Sequence, residues 1–270
     1  MNIKQIPKKV KETIKKYKLC SKRDKVLVAL SGGKDSSTVL TLLKKFGYNV
    51  EGFHINLGIK GYSERCLNSV VKLCEELHVK LHVYVMMKEQ GGSMCYIRTG
   101  VQSKVKLNNC AVCGVVKKWV MNREARKLKA DKIATGHNLD DEAQTVLMNF
   151  FKGNLELSVN SKPISGNVKD KKFVSRVKPL FFIPEHLVKK FAVKNKIEHF
   201  PAPCPCGIDS YRITIRKYLN KISDKDKENI VRNNLEMIKG KKINSVVRYC
   251  ESCGEPSRGE ICKKCRLLDS

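Results

Sequence analysis

The stretch 25–40, KVLVALSGGKDSSTVL, constrains the fold more than any other part of this 270-residue chain. Its apolar run 26–30 predicts a buried strand, and the spacing of Val39 and Leu43 predicts a helix that begins near Asp35. Two glycines separate the strand from the helix. Because glycine lets the backbone approach an anion and a helix N-terminus presents free N–H groups, this arrangement predicts a phosphate-binding loop.

The spacing of the loop differs from two common phosphate-binding patterns, GxGxxG and GxxxxGK followed by Ser or Thr. A glycine turn before an ordinary helix is the alternative interpretation. The string SGGKDS resembles the PP-loop of the N-type ATP pyrophosphatases, which split ATP between the α- and β-phosphates and adenylate a carbonyl oxygen. The resemblance implies an ATP site formed by Ala29, Ser31, Gly32, Gly33, Lys34, Asp35, Ser36, Ile55, Lys117, Gly136 and Asp141.

Three further apolar segments predict strands that alternate with helices. We expect the strands at 50–57, 79–86 and 131–136, with helices at 62–78 and 110–128 between them. Such alternation is typical of an α/β fold with a doubly wound parallel sheet. Ligands of these sheets bind beyond the carboxyl ends of the strands, which is where the glycine loop would lie.

The same patterns predict four parts of the chain. They are an N-terminal basic helix, a PP-loop ATP pyrophosphatase domain, a helical extension and a zinc-binding module, expected at 1–24, 25–206, 207–246 and 247–270. Two segments with few periodic apolar residues, 88–109 and 151–172, are predicted as loops, the first of them mobile above the substrate. Later helices are predicted at 185–195, 209–220 and 224–239.

The chain carries 54 Lys and Arg against 26 Asp and Glu, a formal net charge of +28. This excess favours a polyanionic partner, most often nucleic acid, although a lysine-rich thermophilic proteome is the alternative explanation. No apolar run has the length of a membrane span or of a signal-peptide core, so no membrane contact and a cytoplasmic location are expected. Twelve cysteines in a reducing compartment then indicate metal or sulfur chemistry rather than disulfides.

Four cysteines near the carboxyl end form two CxxC pairs, Cys250 with Cys253 and Cys262 with Cys265. Two such pairs separated by a short loop are typical of tetrahedral zinc sites. The segment has too few apolar residues to fold unaided, so the metal would supply its stability. Iron in place of zinc is the alternative.

A second group of cysteines is far apart in sequence: Cys110, Cys113, Cys204 and Cys206. They converge on the nucleotide crevice if the sheet folds as a PP-loop domain, and unrelated free thiols are the alternative. Together with SGGKDS, with TGHNLDDEAQT and with a late CP…YR segment, they resemble the tRNA 2-thiouridine synthetases. These form the TtuA-like group, with the archaeal and eukaryotic wobble-uridine thiolases and, more distantly, the TtcA cytidine thiolases.

The resemblance implies that Cys110, Cys113 and Cys204 are catalytic residues that hold a 4Fe–4S cluster, with one iron left free to carry a sulfide. Cys206 stands where the family usually has another residue, which leaves a fourth ligand or an exchange of ligands open. A persulfide on one of the same cysteines, without iron, is the alternative sulfur carrier.

Two further catalytic residues follow from the resemblance. Lys117 matches a lysine that contacts the ATP phosphates, and Asp141 matches an acidic residue near the nucleotide that would bind Mg²⁺. Asn138 or Asp140 could cap the helix that follows the TGHN segment, and Asp140 is the preferred of the two. The family usually has a cysteine-rich zinc module before the PP-loop domain, whereas this chain has only Cys20 there.

The implied reaction is the ATP-dependent 2-thiolation of tRNA. The C2 oxygen of a uridine is adenylated, and sulfide then displaces AMP to give 2-thiouridine. The expected partners are tRNA, a second copy of the chain, and either free sulfide or a thiocarboxylated ubiquitin-like carrier as sulfur donor. Another PP-loop tRNA-modifying enzyme, such as a lysidine synthetase, and a non-catalytic zinc-containing RNA-binding protein are the alternatives.

Overall fold

The computed structural model describes residues 1–153, 155–166, 170–207, 211–241 and 247–268. Its strands are β1 (Lys25–Leu30), β2 (Asn49–Asn56), β3 (Leu81–Val85), β4 (Lys132–Ala134), β5 (Ile164–Ser165), β6 (Ser175–Val177), β7 (Arg248–Tyr249) and β8 (Pro256–Ser257). The first six helices are α1 (Ile6–Tyr17), α2 (Lys34–Lys45), α3 (Tyr62–Glu76), α4 (Met86–Gln90), α5 (Met94–Gln102) and α6 (Asn109–Lys127). The others are α7 (Leu139–Phe151), α8 (Leu155–Ser158), α9 (Glu185–Lys194), α10 (Tyr211–Leu219), α11 (Asp224–Met237) and α12 (Lys263–Leu268).

Six strands form the central sheet in the order β3-β2-β1-β4-β6-β5. Every pair is parallel except β5 with β6, so a short antiparallel strand completes one edge. The predicted doubly wound parallel sheet is therefore confirmed. The strand order reverses direction between β1 and β4, and the crevice beyond their carboxyl ends is the expected ligand site of such a sheet.

The alternation of side chains along β1 separates two layers of core. Val26, Val28 and Leu30 are buried against α1, α2, α3 and α9, whereas Leu27 faces α5 and α6 on the other side of the sheet. Burial on both faces explains why the strand has a nearly continuous apolar sequence.

The N-terminal helix α1 belongs to the first of these layers. Ile6, Val10 and Ile14 are fully or almost fully buried, and lysines occupy its exposed face. The spacing of these apolar residues predicts this amphipathic helix correctly. Next to the end of α1, where Tyr17 stacks on Phe182, α7, α10 and α11 enclose a second apolar cluster around Phe181 and Phe182.

The prediction of a loop at 88–109 is wrong, because α4 and α5 lie there. Ser93 caps α5 by accepting a hydrogen bond from the Tyr96 N–H, while only Met94 and Val101 on this helix are buried. Two buried residues among the nine of α5 give too little periodicity to predict a helix.

Within the predicted insertion 151–172, α8 and β5 are short, and 154 and 167–169 lie outside the described residues. The helix predicted at 209–220 is described from Tyr211 onwards, since 208–210 lie outside as well.

No helix in the described ranges combines the length and the apolar character that crossing a membrane requires.

Candidate active site

Hydroxyl groups shape the loop between β1 and α2. Ser36 Oγ accepts a hydrogen bond from the Ser31 N–H at 3.2 Å and donates one to the Gly33 carbonyl at 3.0 Å. Gly33 is the N-cap residue of α2 and brings no side-chain acceptor to the helix end. The first N–H groups of α2 therefore lack a side-chain cap, and with the helix dipole they form an anion-binding end.

Two glycines allow neighbouring elements to approach this loop closely. A Cβ added to Gly32, which has a φ of +85°, would lie 2.8 Å from Cys66 Cβ on α3. A Cβ added to Gly136, after β4, would lie 2.6 Å from the Ser36 nitrogen. The loop is thus enclosed by the end of β4 and the start of α3. Ala29 and Ile55 lie near the ends of β1 and β2 on the α6 face, beside the expected adenine position.

The loop lysine is held by carboxylates. Lys34 Nζ lies 2.9 Å from Asp35 Oδ2 and 2.7 Å from Glu185 Oε1, and Glu185 also pairs with Arg216. Burial acts to lower the pKa of Lys34, but the two carboxylates outweigh it and raise that pKa. Glu185 and Arg216 are site residues that the sequence did not reveal, because only the fold brings α9 and α10 to the loop.

The helix cap of α7 differs from the prediction. Asn138 Oδ1 accepts the Asp141 N–H at 3.1 Å, and its amide donates to Asp35 Oδ1 at 3.2 Å. The expectation that Asp140 caps the helix is wrong, because its carboxylate accepts hydrogen bonds from Lys227 Nζ and the Glu185 N–H, each at 2.7 Å. Asn138 therefore links α7 directly to the loop.

Asp35 and Asp141 bring two carboxylates beside the phosphate-binding loop. Burial raises the pKa of both groups, opposed by Lys34 at Asp35 and by Arg212 at Asp141. The charge of Asp141 raises the pKa of Asp35 further. Two crowded carboxylates next to a phosphate cradle form an oxygen-rich donor set that suits Mg²⁺.

The segment 200–207 connects the loop with α6. The Phe200 N–H donates to the Gly32 carbonyl at 2.8 Å, and Asn109 Nδ2 on the first turn of α6 donates to the Cys206 carbonyl at 3.2 Å. Cys204 consequently lies near Lys117 and Cys113. Burial raises the pKa of the Cys204 thiol, and the charge of Lys117 opposes that rise.

The structure thus brings Cys113 and Cys204 to one crevice next to the loop, and Cys110 is exposed on the same first turn of α6. Within the described part of the chain, four sulfur atoms lie within 4.8 Å of one another only in the tail. The crevice cysteines are therefore not spaced for a single zinc ion. A 4Fe–4S cluster suits a wider arrangement, because each thiolate binds a different iron.

One further cysteine, Cys95 on α5, faces the same region. Its thiol and the Arg98 guanidinium both lie within hydrogen-bonding reach of the Cys206 thiol. No sequence pattern indicated Cys95, because it lies in the segment predicted as a loop.

The tail has the geometry of a zinc site. Cys250, Cys253, Cys262 and Cys265 have their ligand atoms within 4.8 Å of one another, which matches tetrahedral zinc with bonds of about 2.3 Å. Burial opposes ionisation of the Cys250 thiol, but backbone N–H groups, the Cys262 N–H first, outweigh it and lower its pKa to about 6. These residues fit a zinc ion.

The tail is fixed to the helix that carries the crevice cysteines. Glu255 is bidentate to Arg126 of α6, with distances of 2.8 and 2.5 Å, and Lys172 Nζ donates to the Gly254 carbonyl at 2.9 Å. Trp119 of α6 packs against the cysteine cluster of the tail. The CxxC pair of α6 and the two CxxC pairs of the tail are therefore connected through one helix.

Comparison with known proteins agrees with this geometry. The family model described as the PP-loop domain matches residues 3–222. The chain is 36% identical to the tRNA-5-methyluridine(54) 2-sulfurtransferase of Pyrococcus horikoshii, over 96% of this chain and 83% of that protein. It is 31% identical to the cytoplasmic tRNA 2-thiolation protein 1 of Aspergillus niger, over 96% of this chain and 78% of that protein.

Among solved structures, the U34-tRNA thiolase NcsA of Methanococcus maripaludis with its 4Fe–4S cluster is similar, with a TM-score of 0.81 and 30% identity. The match covers 98% of this chain and 86% of that chain. On the sequence motifs, the fold and these similarities, the chain belongs to the PP-loop family of tRNA 2-thiolation enzymes.

Proposed function

We propose that this protein is an ATP-dependent tRNA sulfurtransferase that converts a uridine of tRNA to 2-thiouridine. The observation that carries the proposal is the segment 200–207, which hydrogen-bonds to the phosphate loop at Gly32 and to the first turn of α6 at Asn109. One crevice then holds both an ATP site and a set of thiols, and the reaction requires both.

The loop residues have separate tasks in this reaction. The first N–H groups of α2 and the hydroxyl of Ser31 bind the phosphates of ATP, and Ala29 and Ile55 contact the adenine beyond the strand ends. Lys117 neutralises charge that develops on the departing pyrophosphate. Asp35 and Asp141 would hold Mg²⁺, whose charge removes the repulsion between their carboxylates. Attack of the uridine C2 oxygen on the α-phosphate forms the adenylated base and releases pyrophosphate.

The cysteines supply the sulfur step. Cys110, Cys113 and Cys204 would hold a 4Fe–4S cluster, which would supply the sulfide that replaces the C2 oxygen. Lys117 lies beside Cys204, so the same cation that faces the phosphates also screens the thiolates. Sulfide attack at C2 expels AMP and leaves 2-thiouridine. Free sulfide and a thiocarboxylated carrier protein are both suitable donors for this chemistry.

The tail would bind zinc through Cys250, Cys253, Cys262 and Cys265, and the metal would keep it folded on α6.

The position of the target uridine differs between the two similar proteins, since one name specifies position 54 and the other U34. We propose a cytoplasmic location on the similarity to the cytoplasmic thiolation protein.

The test uses the full chain, reconstituted with iron and sulfide under anaerobic conditions, with ATP and an unmodified tRNA transcript. Mass spectrometry of the digested tRNA should detect 2-thiouridine and locate it. Cys204→Ser should lose thiolation and the visible absorbance of the cluster while it retains ATP affinity. Cys206→Ser is the matched control, two residues away in the same turn, and should keep both. Full thiolation by Cys204→Ser would contradict the three-ligand assignment, and absence of 2-thiouridine in the wild type would contradict the proposed function.

A further inference from the structure

Four aromatic side chains on two neighbouring helices are exposed. Phe150 and Phe151 at the end of α7 are 64% and 58% exposed, and Tyr211 and Tyr218 of α10 are 41% and 56% exposed. We call this set the aromatic ridge. Single exposed apolar residues are common on protein surfaces, whereas several large rings close together indicate an interaction surface.

Hydrogen bonds place α7 and α10 side by side. Arg212 Nη2 donates to Thr145 Oγ1 at 3.1 Å, and the Gln144 amide donates to the Arg212 carbonyl. On α10, Tyr211 and Tyr218 are seven residues apart, which is about two helical turns, so both rings lie on the same side of the helix. The two pairs of rings therefore belong to adjacent helices.

A lysine connects the rings of α7 with those of α10. The Phe150 and Phe151 rings meet edge to face, with their centroids 6.2 Å apart. Lys152 is the next residue, and its Nζ lies 5.5 Å from the centroid of the Tyr211 ring. Rings and cations in such proximity are the groups on which proteins stack bases and bind the phosphates that join them.

The charge of α10 decides which partner suits the ridge. The stretch 211–221, YRITIRKYLNK, contains four basic residues and no acidic one. A symmetric contact between two copies of this chain would bring the same basic helix against itself, and the like charges would oppose it. A polyanion with flat rings complements both the charge and the aromatic surface, and RNA has both features.

The other side of α10 contacts the ATP site. Arg216 pairs with Glu185, whose second carboxylate oxygen lies 2.7 Å from Lys34 Nζ of the phosphate loop. Positions 211 and 216 are roughly 140° apart around the helix, so the ridge and the loop lie on different flanks of α10. A helix with its side chains is about 10–12 Å across. RNA bound to the ridge is therefore close to the crevice but outside it.

We propose that the aromatic ridge binds the substrate RNA by stacking unpaired bases on its rings, with Lys152 and Lys217 on the adjacent phosphates. This inference rests on the proposed function, from which it takes the RNA substrate. It assigns a surface that holds the RNA, whereas the phosphate loop and the cysteines act on the target base. Bases in the loops and at the ends of a folded RNA are the ones free to stack in this way.

The experiment removes the rings but keeps apolar side chains in their place. A full-length double variant, Phe150→Leu with Phe151→Leu, is compared with Phe150→Tyr with Phe151→Tyr, the matched control that retains both rings. Tyr218→Leu and Tyr218→Phe repeat the comparison on α10, and Lys217→Gln tests the charge. The probe is an unmodified tRNA transcript, whose dissociation constant is measured by fluorescence anisotropy between about 50 and 200 mM salt. Melting temperature and sedimentation velocity are recorded on the same samples.

Each leucine variant should bind tRNA at least about fivefold more weakly than its aromatic control, the lower limit for the loss of one stacked base. The slope of log affinity against log salt should not change, because no phosphate contact is lost. Lys217→Gln should instead reduce that slope by about 0.7. The melting temperature should stay at the wild-type value, since the replaced rings are more than half exposed.

Two results would overturn the inference. One is equal tRNA affinity of the leucine variants and their aromatic controls. The other is a leucine variant that keeps its tRNA affinity and separates into monomers where the wild type forms dimers, which would assign the ridge to a contact between copies. Failure of the proposed function is a separate outcome: wild-type protein would bind tRNA through the ridge and form no 2-thiouridine.

Discussion

Replacing Gly32 with Ala tests whether the close contact between the phosphate loop and α3 is required for ATP binding. Gly32 has a φ of +85°, and an added Cβ would lie 2.8 Å from the Cβ and 2.9 Å from the Cα of Cys66. A left-handed backbone costs a non-glycine residue about 1–2 kcal/mol, and overpacking costs about 1–3 kcal/mol. Gly32→Ala should therefore lower the free energy of unfolding by about 2–5 kcal/mol.

Gly33→Ala is the matched control, one residue further along the same loop. Its Cβ would meet only Ser31 Oγ, at 3.5 Å, and its φ of −89° suits any residue. Urea unfolding should place Gly33→Ala within about 1 kcal/mol of wild type, since the change removes a glycine from an N-cap position.

Calorimetry then tests how the strain that Gly32→Ala introduces changes the affinity for ATP. If the whole strain falls on the loop, Gly32→Ala should weaken ATP binding between about thirtyfold and a few thousandfold. Equal free energies of unfolding for Gly32→Ala and wild type would refute the reasoning, because they would show that the loop accommodates a side chain. A large loss of stability with unchanged ATP affinity would show that the strain lies outside the binding conformation.

Two further predictions concern charged groups. Glu255→Gln breaks the bidentate pair with Arg126, and because the Glu255 side chain is only 7% exposed, zinc-loaded protein should lose about 2–4 kcal/mol in urea unfolding. Glu236→Gln, in an exposed pair with Lys239, is the control and should change stability by less than about 1 kcal/mol; equal losses would mean that the tail is not fixed by this contact. The protein groups around the His137 imidazole, helped by the charges of Lys178 and Arg212, lower its pKa to about 4. Between pH 6.5 and about 4, the unfolded chain therefore binds a proton at His137 that the folded chain does not, so the free energy of unfolding should fall as pH falls through this interval. His137→Gln should flatten that part of the pH profile of urea unfolding, and an unchanged profile would contradict a lowered pKa.

Local patterns predicted the parts of the site in which neighbouring residues act together. The strand, the two glycines and the helix of the phosphate loop are contiguous, so 25–40 was sufficient to predict their structure. The spacing of Cys250, Cys253, Cys262 and Cys265 likewise predicted the sulfur cluster of the tail, because two short turns bring each pair together.

Contacts between distant segments were not predictable in the same way. Glu185 reaches Lys34 only because α9 packs beside α2, and nothing in the sequence near either residue indicates the pair. Asn138 and Asp140 were equally suitable caps by residue type, and the choice depends on Lys227 of α11, which binds the Asp140 carboxylate.

The hydrogen bond from the Phe200 N–H to the Gly32 carbonyl has a consequence for the order of events in a catalytic cycle. A nucleotide that shifts the Gly32 carbonyl would also shift the Phe200 backbone, four residues before Cys204, and a group held by Cys204 would act on the loop through the same hydrogen bond. Each ligand should therefore change the affinity for the other by the same factor. Protein that lacks the group held by Cys204 should then bind ATP with a different affinity from protein that carries it.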